Sequence, residues 1–166
     1  MDQKQIKPTL KNPEVLFLSV LGIGFFPKAP GTLASVIIAP ITYFIYQAGI
    51  PFFLFIPLIV ILIFISCYIA EVAQKKYHLH DPQWIVIDEV IGMFITGLFI
   101  QNNSWPHALV LLILFRFFDI FKIWPASYLD QKVMHGYGTI MDDVVSGLYA
   151  GLTYLVGHFC FLHFIN

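Results

Sequence analysis

Five apolar runs, at residues 33–48, 52–70, 84–101, 108–124 and 144–165, fill most of this chain. At 1.5 Å of rise per residue, helices of these lengths reach about 24–33 Å, which matches a hydrocarbon core about 30 Å thick. The composition agrees: 58% of residues are hydrophobic and only 11% charged, too apolar for an ordinary soluble domain. The expected fold is therefore all-α, a polytopic membrane helical bundle of about five spans, with residues 1–166 forming a single domain. A sixth apolar run, 15–26, is shorter and ends before Pro27. It reads as an N-terminal half-helix or interfacial segment rather than a span. Lys4, Lys7 and Lys11 upstream of it also fit a signal peptide, but no small-x-small cleavage site follows, so the segment is expected to stay in the mature protein.

Composition also removes function classes. A net charge of −1 gives no electrostatic footing for nucleic acid. The two cysteines, Cys67 and Cys160, lie in separate apolar runs and are expected to be buried, inert thiols rather than a disulfide or metal pair.

Charge is distributed on one side. If Lys4, Lys7 and Lys11 are cytoplasmic, making 1–13 a cytoplasmic N-terminal tail, then Lys28, Lys75, Lys76 and Lys132 fall on that side as well. The opposite connections, 47–51 and 102–107, contain no Lys, Arg, Asp or Glu. Trp84 and Trp124 are then expected at the cytoplasmic boundary and Trp105 at the other.

Against this background five acids stand out: Asp88 and Glu89 inside run 84–101, Asp119 inside 108–124, and Asp142 and Asp143 opening the last run. An ionised group at the bilayer centre costs about 2.5–3.5 kcal/mol, so such residues are usually kept for a site. Asp88 lies four residues in from Trp84 and Asp119 five residues in from Trp124. In antiparallel helices both carboxylates lie roughly 6–8 Å below the same face, where they can meet. Asp142 and Asp143 are expected at the start of the last helix; alone they read equally well as a cap and its neighbour. Two stripes of small residues, Asp88, Gly92, Thr96 and Asp143, Gly147, Gly151, allow the helices that carry the acids to approach closely.

Carboxylates without histidine or cysteine spacing suit a hard cation, Mg²⁺ above all. Arg116 and Lys122 flank Asp119 by three residues on either side and could hold phosphate, or could simply neutralise buried acids. A second candidate anion site is the stretch from Lys28 to Ser35, where Pro30 and Gly31 precede an apolar helix and Thr32 and Ser35 add hydroxyls. A plain Thr-capped helix start has the same appearance. Asp81 before Pro82 reads as the cap of the third helix, with His80 left open. His107, His158 and His163 are scattered towards the opposite face and support no histidine metal site.

Four motifs now in view resemble the phosphatidylglycerophosphatase A family, in order and spacing: Pro30-Gly31-Thr32; Ile87-Asp88-Glu89-Val90-Ile91-Gly92; Phe115-Arg116-Phe117-Phe118-Asp119-Ile120-Phe121-Lys122 with Trp124-Pro125; and Gly138-Thr139-Ile140-Met141-Asp142-Asp143. The resemblance departs at Ala34, Ile123 and His135. It implies a bacterial inner-membrane, Mg²⁺-dependent lipid phosphatase, its active site on the cytoplasmic side, converting phosphatidylglycerophosphate to phosphatidylglycerol and inorganic phosphate. It also implies that Asp88, Glu89, Asp119, Asp142 and Asp143 are the catalytic and metal-binding carboxylates, with Thr32, Arg116 and Lys122 on the phosphate side. The rival reading from the residues is a small transporter or ion pathway, which requires acids at more than one depth.

Overall fold

The computed structural model describes residues 7–50, 52–101, 104–133 and 136–165. Seven α-helices follow in order: α1 (Pro13–Leu18), α2 (Pro30–Gln47), α3 (Phe52–Tyr77), α4 (Ile87–Gly97), α5 (Trp105–Phe121), α6 (Ala126–Lys132) and α7 (Gly136–Ile165), with a short 3₁₀ turn at Ile23–Phe25. The described residues contain no strand, in agreement with the all-α expectation. Lys4, Pro51, Asn102, Asn103 and His135, on which some expectations rest, lie outside the described residues.

The bundle is organised around α4, where nine residues are buried, among them Asp88, Gly92 and Thr96. The two stripes of small residues meet as anticipated. A Cβ added to Gly147 would lie 2.6 Å from the carbonyl oxygen of Gly92, and one on Gly92 would lie 2.3 Å from the Phe115 ring. The Thr96 hydroxyl donates to the carbonyls of Gly92 at 2.7 Å and Gly147 at 3.3 Å. Small residues let the backbones of α4 and α7 touch, and the threonine joins them without leaving a polar atom unsatisfied.

Outward faces are apolar: Leu58, Ile61 and Phe64 on α3, Ile113 and Ile120 on α5, and Leu152, Val156 and Phe159 on α7 are all exposed. Leu54–Tyr77 and Gly136–His163 are long and apolar enough to cross a membrane. The third expected span differs. Helix α4 has 11 residues and reaches only about 17 Å, too short to cross alone.

Residues 84–86 precede α4 as loop because the N-terminal segment claims them. The Val86 amide donates to the carbonyl of Leu18 at 2.9 Å. Trp84 stacks on Phe25 and meets Tyr77 edge-on. It is buried, whereas Trp105 and Trp124, at the two ends of α5, are exposed. The segment therefore forms a short collar, in agreement with a non-spanning 15–26 run. Glu14 pins it to the end of α3 through Lys76 at 2.6 Å and the Tyr77 hydroxyl at 2.8 Å. Cys67 is buried as anticipated, but Cys160 is exposed on the outer face of α7 beside Phe159 and Phe161, which corrects the expectation of burial.

Candidate active site

Two expectations about helix starts exchange places. Helix α4 begins at Ile87, so Asp88 and Glu89 occupy its first turn, where free amides and the helix dipole favour negative charge. Helix α7 begins at Gly136, so Asp142 and Asp143 lie nearly two turns inside it rather than opening it. Nor does Asp81 cap a helix. It has φ +42°, in the left-handed region, with α4 starting only at Ile87.

These ends converge on a cavity of about 250 Å³. Its walls include Ala29 to Thr32 at the start of α2, Asp81 and Gln83 from the loop before α4, Asp88 and Glu89 from α4, Arg116, Asp119 and Lys122 from α5, and Thr139, Asp142 and Asp143 from α7. All five acids singled out in the sequence are there. Thr32, Arg116 and Lys122 line the cavity too, whereas Lys28 is exposed outside it and Ser35 is buried behind it. Ala29, Asp81 and Lys122, three of the six described non-glycine residues with positive φ, line this cavity.

The acids divide into two groups. Asp88, Glu89 and Asp143 each present a ligand oxygen, all within 4.8 Å of one another. Glu89 Oε2 is buried and has no hydrogen-bond partner. Its other oxygen lies against the start of α2, where a Cβ on Gly31 would come within 1.7 Å of it. Only glycine lets the carboxylate sit there. By contrast, Asp119 and Asp142 are held by cations. Arg116 Nη1 is 2.7 Å from Asp119 Oδ2 and 3.9 Å from Glu89 Oε1, and it donates to Ser35 Oγ at 3.3 Å. Lys122 Nζ is 2.6 Å from Asp142 Oδ2 and 2.5 Å from Asp130 Oδ1.

Six acids and two cations line the cavity. Both cations are already engaged with Asp119, Asp130 and Asp142. Of the four acids left, Asp81 is exposed, and the trio Asp88, Glu89 and Asp143, with its orphaned buried oxygen, fits a hard divalent cation. Asp88, Glu89 and Asp143 would hold it.

Three polar residues of the wall were not anticipated as site residues. Asp81 was read as a cap because it precedes Pro82. Gln83 carries no pattern. Thr139 precedes the acidic pair by one helical turn, the available hint, and its Oγ1 accepts from buried Gln74 Nε2 at 2.9 Å.

The phosphatidylglycerophosphatase A family model matches residues 16–158 of this chain, which include all ten candidate site residues. The chain belongs to the phosphatidylglycerophosphatase A family. The phosphatidylglycerophosphatase A of Escherichia coli (strain K12) is 33% identical over 150 residues, covering 90% of this chain and 86% of that protein. That of Haemophilus influenzae is 36% identical over 147 residues, covering 87% of this chain and 88% of that protein. No solved structure matches. Membership makes the protein a phosphatase, a hydrolase. The departure from the family pattern at Ala34 is accommodated, since its methyl is fully buried in α2 away from the cavity wall.

Proposed function

We propose that this protein hydrolyses the terminal phosphate of phosphatidylglycerophosphate, giving phosphatidylglycerol and inorganic phosphate, in a membrane where the cavity opens to the cytoplasmic side. The observation that carries this reading is the divided acid cluster: three carboxylates close enough together to share a cation, beside two cations within reach of an anion. In the overall reaction an oxygen of water bonds to phosphorus, the bond from phosphorus to the glycerol oxygen breaks, and that oxygen leaves with a proton.

Asp88, Glu89 and Asp143 are the proposed ligands of Mg²⁺. When bound, a hard divalent cation supplies positive charge to phosphoryl oxygens and lowers the pKa of water. Arg116 and Lys122 offset charge on the phosphoryl oxygens, and Thr32 with the free amides at the start of α2 lines the opposite wall. Asp119 holds the guanidinium in place. The apolar outer faces beside this end of the bundle keep the substrate's acyl chains in lipid while its headgroup enters the cavity. Cytoplasmic placement is supported by Lys28, Lys75, Lys76 and Lys132 lying at the cavity end.

The transporter reading is disfavoured by the packing below the acids. One turn beyond Asp88 and Asp143 the backbones of α4 and α7 touch at Gly92 and Gly147, leaving no room for a path between them. The test is phosphate release by the purified, detergent-solubilised protein given pure phosphatidylglycerophosphate with Mg²⁺. Release matched by appearance of phosphatidylglycerol supports the reading, and absence of release overturns it.

A further inference from the structure

Resting on that phosphatase reading, we infer that Asp130 is a positioning residue: it stands outside the cavity and sets the ammonium of Lys122 for the substrate phosphate. Helix α5 ends at Phe121, and Lys122 follows in the left-handed region with φ +41°. Its amide donates to the carbonyl of Phe118 at 2.9 Å. This reversal turns the Lys122 side chain back to the cavity wall while the chain continues into α6. The turn is held from α7, whose Tyr149 hydroxyl donates to the carbonyl of Trp124 at 2.9 Å. Helix α6 thereby brings Asp130 beside Lys122.

An ammonium has three N–H donors and no acceptor. In Lys122 one is directed to Asp130 Oδ1 at 2.5 Å and one to Asp142 Oδ2 at 2.6 Å. With two directions fixed by carboxylates from different helices, tetrahedral geometry fixes the third. Lys122 lines the cavity, and this donor is the one left for a phosphoryl oxygen. Asp142 could not do this alone, because a lysine on a flexible four-carbon stem pivots about a single partner. The arrangement assigns Asp142 to the lysine rather than to the trio.

The test uses the full-length protein in detergent at saturating Mg²⁺. KM and kcat for phosphatidylglycerophosphate, and Ki for inorganic phosphate, are measured for wild type, Asp130→Asn, Asp130→Glu, Lys122→Ala and the double variant Asp130→Asn/Lys122→Ala. Loss of one oriented, charge-assisted contact is expected to raise KM and Ki about tenfold in Asp130→Asn, with kcat changed much less. Asp130→Glu should recover most of the loss. The double variant should be no worse than Lys122→Ala, because Asp130 acts only through that lysine. Half-saturation by Mg²⁺ should not move. KM and Ki are independent of how much protein is folded, so a reduced yield does not blur them. Wild-type KM and Ki in Asp130→Asn, multiplying losses in the double variant, or a shifted Mg²⁺ requirement would each overturn the inference. Calorimetric binding of inorganic phosphate supplies an arm independent of turnover. A wild type that binds phosphate but leaves the lipid intact would sink the phosphatase reading and not this one.

Discussion

Helices α5 and α7 carry a polar cluster at each end, and the two ends are built to different rules. At the far end His107 of α5 meets Tyr154 and His158 of α7, with His107 Nδ1 2.6 Å from the Tyr154 hydroxyl and the two imidazole rings 5.6 Å apart. The Tyr154 hydroxyl also accepts the Gln101 amide at 3.3 Å. The adjoining cavity, about 450 Å³, is walled mainly by apolar groups such as Val110, Leu114 and Phe161. The key polar atoms there satisfy one another. At the near end the cavity is smaller, its walls are charged, and Glu89 Oε2 is left buried without a partner. A polar cluster that closes on itself contributes to stability, whereas one left open in the same low-dielectric surroundings is set for a ligand.

Substitutions at the near end should therefore cost activity rather than folding. Asp88→Asn, Glu89→Gln and Asp143→Asn keep size and hydrogen bonding but remove ligand charge, so phosphate release should fall by orders of magnitude. Without Mg²⁺ these variants should unfold at the same or a higher temperature than wild type, because each relieves repulsion among buried acids. A large drop in unfolding temperature would make the trio structural and erase the contrast.

Gly31→Ala sharpens the comparison without touching a charge. The new methyl would overlap Glu89 Oε1, so the carboxylate must move away from the trio. Displacement of a ligand by about 1 Å is expected to cost on the order of a hundredfold in turnover. Wild-type turnover in this variant would show that the position of Glu89 is not demanding.

The opposite outcome is expected at the far end. His107→Phe breaks the bond to Tyr154 and should lower stability by about 1 kcal/mol, read as a fall in the denaturation midpoint, while turnover stays within about twofold. A large loss of activity would mean that the two ends are coupled.

The smallest effect concerns the collar. Lys76 beside Glu14 holds its carboxyl below the usual range. A lowered carboxylate contributes stability above its unfolded pKa and loses it as pH falls through the folded one. Attachment of the collar to α3 should therefore loosen as the solution is taken down through and below pH ~4.5, and Glu14→Gln should abolish that dependence. Limited proteolysis near Lys11 as a function of pH reads it. Equal acid sensitivity in both proteins would place the weakness elsewhere.

The helical class and the meeting of the acids were legible because hydrophobic run length and depth are local arithmetic: Asp88 and Asp119 do share one cavity. Gly92, Thr96 and Gly147 were legible for the same reason, as a period on a helix face. What could not be read depended on neighbours. Residues 84–86 look apolar enough for a span, but Leu18 and the collar claim them as loop. Asp142 looked like the other acids, and its commitment to Lys122 needed Asp130 from a helix absent from the expected bundle. His107 and His158 lie 51 residues apart and looked scattered; antiparallel packing of α5 and α7 joined them.

The most direct test of the open trio is the metal dependence of phosphate release from phosphatidylglycerophosphate, measured for wild type and Glu89→Gln side by side. Wild type should be silent in chelator and regain full release as Mg²⁺ is restored, while Glu89→Gln stays silent or requires far more ion. Full release by wild type in chelator, or the same Mg²⁺ requirement in both proteins, would contradict a site in which the unpartnered Oε2 of Glu89 holds the cation.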